Sequence, residues 1–137
     1  MDVNKNNHEN GATILMLAVA SGKMSSATFL LEQCDARANE QGQDKTSPMH
    51  IAAASGLVDM VELLMDHNGN INALDGNGFS PLTLAVDAQH GHVVKYLLDK
   101  RCEVDARSDN ASTALFCCAF HNFDDTASLL LEQNADP

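Results

Sequence analysis

The sequence predicts an all-α solenoid, about four helix–turn–helix units stacked side by side and joined by β-hairpin-like fingers. Three observations carry this prediction. Hydroxyl residues recur at Thr13, Ser47, Ser80 and Thr113, at spacings of 34, 33 and 33 residues. Each opens a similar block (TILMLAVASG, SPMHIAAASG, SPLTLAVDAQHG, TALFCCAFHN), followed by a leucine-rich one (FLLEQC, LLMDHN, YLLDKR, LLLEQN). Hydrophobic residues make up 45% of the chain but aromatics only 4%, and there is no Trp, so Leu and Ala must fill the core, a composition that favours helix. Self-similarity at one period of this size marks a repeat architecture. A single unit cannot bury its own apolar face, so it must stack on neighbours.

Each element of the unit has a local cause. The Thr or Ser hydroxyl accepts a backbone N–H and caps a short first helix, and Pro48 and Pro81 follow at the position where a missing N–H costs nothing. Ala52, Ala53, Ala85, Cys118 and Ala119 are small and let helices of adjacent units approach. Gly22, Gly56 and Gly91, with Asn122 at the equivalent place, end that helix, because Gly and Asn best tolerate a left-handed C-cap. On this reading Gly91 comes ten residues after Pro81 where Gly56 comes eight after Pro48, so two residues are inserted around Gln89-His90. A second helix runs from Val58 to Asp66, with Met60, Val61, Leu63 and Leu64 as its apolar stripe and Glu62 facing away. The pairs Leu30–Leu31, Leu63–Leu64, Leu97–Leu98 and Leu129–Leu130 join the layers. Asp75-Gly76-Asn77-Gly78 is a strong turn signal for the finger.

These features resemble the ankyrin repeat family, whose 33-residue unit carries a T-P-L-H-x-A motif. Ser47-Pro48-Met49-His50-Ile51-Ala52-Ala53 is the best local match. Met16, Thr83 and Phe116 replace the motif histidine, and Ile14 and Ala114 its proline. The resemblance covers residues 9–137 and implies one ankyrin repeat domain over 1–137, with repeats at about 9–40, 41–73, 74–106 and 107–137. Asp2-Val3-Asn4 is similar to Glu103-Val104-Asp105 near the end of a unit, and Pro137 directly follows a helix–finger junction, so a piece of a longer array is expected. The resemblance further implies that His50 bonds backbone between units. It places Cys34, Asn68, Arg101 and Asn134 where the family has a glycine after the second helix.

Function, on this resemblance, is non-catalytic recognition of a partner protein or peptide by a concave face of fingertips and first helices. The positions that match are Gln41, Gln43, Asp44 and Lys45, then Leu74, Asp75, Asn77 and Phe79, then Arg107, Asp109 and Asn110 on the fingers. On the first helices they are Ala54 and Ser55, Asp87 and Ala88, and Phe120 and His121. Phe79 and Phe120 are aromatics at positions usually exposed, which makes them candidate anchors. Asp44, Asp75 and Asp109 would steer a partner with a basic segment. Asn72 stands where, in ankyrin proteins, a finger asparagine resembles the substrate of an asparaginyl hydroxylase. The alternative class is structural: a spacer or spring within a longer array, or a regulatory domain of a channel, ligase or kinase.

Charge and motif content narrow the rest. Lys and Arg total 8 against 19 Asp and Glu, a formal net charge of −11, which argues against nucleic-acid and anionic-membrane partners. Residues 1–12 carry no apolar signal segment, and no run of about 18 apolar residues exists to span a membrane. Cys34, Cys102, Cys117 and Cys118 form no CxxC and read as reduced thiols, in keeping with a cytoplasmic or nuclear monomer. His90-Gly91-His92 offers two imidazoles with no regularly spaced third ligand, and reads as an exposed inserted turn. Phosphate-loop, nucleophile-elbow, zinc-helix and dinucleotide motifs are all missing, so no cofactor and no enzyme activity are expected.

Overall fold

Three buried hydroxyls start the helices that organise this chain. The computed structural model describes residues 4–5, 11–100 and 114–132. Thr13 Oγ1 accepts the Met16 N–H at 3.2 Å, Ser47 Oγ that of His50 at 3.4 Å, and Ser80 Oγ that of Thr83 at 3.2 Å. They cap α1 (Ile14–Ala20), α3 (Pro48–Ala54) and α5 (Pro81–Asp87), each seven residues long. The second helices are α2 (Met24–Gln33), α4 (Val58–Asp66) and α6 (Gly91–Asp99), and the last pair is α7 (Ala114–His121) and α8 (Asp124–Glu132). Thr113, the fourth predicted cap, lies outside the described residues.

Each first helix packs on the second helix of its own pair. Across pairs, α1, α3, α5 and α7 form one layer and α2, α4, α6 and α8 the other. Ala18, Ala52, Ala85 and Cys118 occupy one register position and are buried, so the first helices approach closely. Ala119 is exposed, against expectation: its equivalents Ala53 and Val86 are buried beneath a further pair, and none covers α7 among the described residues. In the other layer Leu30, Leu64, Leu97 and Leu130 share a position and lie inside. Burial of leucines at about 25 cal/mol per Å² is the dominant stabilising term, since helices this short are marginal alone.

The turn between the two helices of a pair corrects the sequence reading. Gly22, Gly56, Gln89 and Asn122 have φ of 68°, 74°, 62° and 59°. The N–H of the next residue bonds the carbonyl five back in every pair: Lys23 to Ala18, Leu57 to Ala52, His90 to Ala85 and Phe123 to Cys118. Gln89 is therefore the equivalent of Gly56, eight residues after Pro81. There is no two-residue insertion, and Gly91 does not end a helix but opens α6. His90-Gly91-His92 is accordingly not an inserted turn. His90 flanks the N-terminus of α6 and its Nε2–H donates to the Ala54 carbonyl of the preceding pair at 3.1 Å.

A second correction concerns the end of the second helix. Cys34 has φ −119°, and the left-handed residue is Asp35, at φ 56°, equivalent to Asn68 at φ 67°. The helix α2 has ten residues where α4 has nine, which also explains the first spacing of 34. Arg101 and Asn134 lie outside the described residues.

Fingers follow. The Gly42 N–H bonds the Thr46 carbonyl at 2.8 Å, the Asp75 N–H bonds that of Phe79 at 2.9 Å, and the Gly76 N–H crosses to the Asp44 carbonyl of the neighbouring finger at 2.7 Å. No strand is formed among the described residues. Asparagines tie successive units: Asn4 bonds the Asp35 carbonyl and Arg37 N–H, and Asn39 the Asn68 carbonyl and Asn70 N–H. His50 makes a further link. Its Nδ1 accepts from the Ser47 N–H at 3.2 Å while its Nε2–H donates to the Phe79 carbonyl at 2.9 Å. That pattern needs the neutral ring, and burial pushes the imidazole pKa below its usual value.

Two outcomes test these assignments. Gln89→Gly should raise the unfolding free energy from urea titration by about 0.5–1 kcal/mol by relieving a left-handed non-glycine residue, whereas Gly56→Ala should lower it by more than about 1 kcal/mol, since a Cβ at Gly56 would meet the His90 ring at 2.6 Å. For His50, the unfolded chain binds the proton that the folded chain excludes. Its contribution is complete above about pH 6.5 and is lost as pH falls from there towards the lower folded pKa. Midpoints measured across that range should fall more steeply in the wild type than in His50→Thr, which borrows the residue found at Thr83.

Candidate functional site

One groove on the first-helix layer gathers residues from three elements. It has a volume of about 250 Å³ and is lined by Phe79, by Thr83, Leu84 and Asp87 of α5, and by Phe116, Cys117, Phe120 and His121 of α7. Thr83 and Phe116 share a register position, as do Asp87 and Phe120, each pair being 33 residues apart. The four-residue steps from Thr83 to Asp87 and from Phe116 to Phe120 put each helix's contribution on one face.

The finger holds Phe79 at both backbone ends. Asp75 Oδ1 accepts the Phe79 and Asn77 N–H groups, both at 2.9 Å, and His50 takes the Phe79 carbonyl. Phe79 is half-buried rather than fully exposed, and it forms part of the groove wall. On α7 the Phe116 and Phe120 rings lie 6.4 Å apart at 20°, His121 meets Phe120 edge-on at 5.1 Å, and Phe123 stacks on His121 at 5.1 Å and 16°.

Phe120 is 73% exposed and Phe116 56%. These exposures have different origins. The equivalents of Phe116 are His50 and Thr83, which are buried where another pair follows. The equivalents of Phe120 are Ala54 and Asp87, which stay exposed even though another pair follows each. Phe120 thus sits on a face that stacking leaves open.

Polar groups complete the groove. His121 Nε2 lies 3.0 Å from Asp87 Oδ1, with side chains 39% and 59% exposed. The Cys117 thiol is pushed above its usual pKa, mainly by burial and also by Asp87, and burial lifts Cys118 to about 11. Both stay protonated at neutral pH and behave as small apolar groups.

The structure brings Phe79, Asp87, Phe120 and His121 together, and leaves the fingertip candidates apart from them. Asp44, Lys45 and Asn77 are exposed at the fingertips. Asp75, expected to steer a partner, also closes its own turn with its carboxylate. Arg107 and Asp109 lie outside the described residues. Asn72 is half-buried at the register of Asn39, whose side chain is engaged in bridging units. Phe116 was read only as a substituted motif histidine; its four-residue spacing from Phe120 was the signal for a shared face. Sequence reasoning also missed a second hollow, of about 540 Å³, where exposed Leu17 and Phe29 lie between α1 and α2.

Among the described residues no three His, Cys, Asp or Glu side chains converge on a possible metal position, and no helix is long and apolar enough to cross a membrane.

Comparison with known proteins agrees with this architecture. The family model for ankyrin repeats in three copies matches residues 1–75 and again 67–137. Rabankyrin-5 of Mus musculus is 27% identical over 135 residues, covering 90% of this chain and 12% of that protein. Ankyrin repeat and KH domain-containing protein mask-1 of Caenorhabditis elegans is 40% identical over 132 residues, 93% of this chain and 5% of that protein. The 26S proteasome non-ATPase regulatory subunit 10 of Dictyostelium discoideum is 36% identical over 86 residues, 62% of this chain and 37% of that protein. The chain thus spans only a small part of these relatives' length. With stacked helix pairs, hydroxyl caps, a buried motif histidine and two matches to the family model, this chain belongs to the ankyrin-repeat family.

Proposed function

We propose that this chain binds a partner protein or peptide through its first-helix face and fingers, with the groove between α5 and α7 at the centre. Ankyrin repeats generally serve as non-catalytic interaction modules, which is the coarse frame. The observation that carries the finer reading is Phe120, a large aromatic at a register position that stays open whether or not another pair follows. Around it are the ingredients of an interface anchor: apolar walls, a shallow cavity and a polar rim.

The mechanism is rigid display. Stacked helices fix the groove before the partner arrives, so little ordering entropy is lost on binding. Surplus acidic charge attracts a basic segment at long range, and Asp44 and Asp87 place some of that charge on the binding side. The rival reading, a spacer or regulatory segment of a longer protein, draws support from the great length of the relatives.

Partner capture from cell extract separates the two. Phe120→Ala should leave the unfolding free energy from urea titration within about 0.5 kcal/mol of wild type, being a change at an exposed position. It should weaken partner binding by about tenfold or more, while Leu131→Ala, an exposed change on α8, should not. Equal capture by wild type and Phe120→Ala would defeat the groove reading and leave the spacer.

A further inference from the structure

We infer that the groove between α5 and α7 receives an arginine side chain of the partner. This rests on the interaction reading above and adds the chemistry of the anchor residue. A cavity of about 250 Å³ is smaller than those that enclose whole drug-sized ligands, and suits one long side chain. Three phenylalanines line it, two of them nearly parallel at 20°. Aromatic faces attract cations, and the planar, weakly hydrated guanidinium stacks on them better than a compact ammonium does.

The charge is complementary as well. Asp87 lines the same groove, and its carboxylate is 59% exposed. His121 engages Oδ1, which leaves Oδ2 to accept a charge-assisted hydrogen bond. Among the described residues no Lys or Arg lines the groove, and the chain as a whole carries 19 acidic against 8 basic residues. An arginine satisfies every surface present: its aliphatic stem lies on the apolar wall formed by Leu84 and Phe79, its plane on Phe116 or Phe120, and its N–H groups on Asp87. Lysine would satisfy the charge but forfeit the stacking. A purely apolar anchor would fill the walls but desolvate Asp87 Oδ2 without supplying a donor to it.

Selection of a random dodecapeptide phage library on the full 137-residue chain tests this. The selected peptides should share one arginine. Synthetic copies, titrated by fluorescence anisotropy, should bind about tenfold more weakly when that arginine is replaced by lysine or citrulline. The same peptides should lose about tenfold against Asp87→Asn and against Phe120→Leu, which keeps apolar bulk but removes the ring. Both variants change exposed side chains, and circular dichroism melts verify their folding. Peptides that lack a common arginine, bind Asp87→Asn as tightly as wild type and still lose affinity with Phe120→Leu would overturn the arginine inference alone. Peptides indifferent to both variants, or no selected peptide at all, would overturn the inference and the groove reading together.

Discussion

The stack stands on the close approach of its first helices. Seven residues make barely two turns, too little for a helix to persist alone in water. The small side chains Ala18, Ala52, Ala85 and Cys118 remove the obstacle to contact, so each short helix is held by the next. The other devices serve that contact. Buried hydroxyls satisfy the helix starts that close packing cuts off from water, and N–H bonds to the carbonyl five residues back close the helix ends. His50 then transfers the order of one unit's cap to the next unit's finger, and through it to Phe79.

Most of this order is periodic, and periodicity is what a sequence displays best. The caps at Thr13, Ser47 and Ser80 and the bounds of α4 follow from spacing alone. Gly91 misled because glycine is a loud turn signal, while Gln89 carries the left-handed backbone silently, held by the bond from His90 to Ala85. Cys34 misled for a related reason: one extra residue in α2 moves the left-handed position to Asp35, and composition does not locate the extra residue. At the site, Phe79 and Phe120 were visible as aromatics in an aliphatic chain. The commitment of Asp75 to its own turn was not, because a surface carboxylate and a turn-closing one look alike until the N–H groups of Asn77 and Phe79 are placed.

Electrostatics work against the C-terminal ends of the second-helix layer. Glu32, Asp66, Asp99 and Glu132 share one register position near the C-terminal ends of their helices, where the macrodipole disfavours negative charge by a few tenths of a kcal/mol or more each. His67 comes within 3.9 Å of Glu32, a loose and exposed pairing. The layer is therefore held by its buried leucines rather than by its charges, and the acidic excess reads as a feature of the surface presented to other molecules.

The bonds that join one unit to the next span 29 to 36 residues of chain, from His50 with Phe79 to Ala54 with His90. Every such loop is about one unit long, so the entropy of closing it does not grow as units accumulate. Folding can begin at any adjacent two pairs and spread, and opening can likewise begin at an outer pair while the middle holds. The groove draws its walls from α5 and α7 and so bridges two successive pairs. Whatever occupies it acts as a clasp across that junction, converting affinity into resistance of the α5–α7 contact to opening.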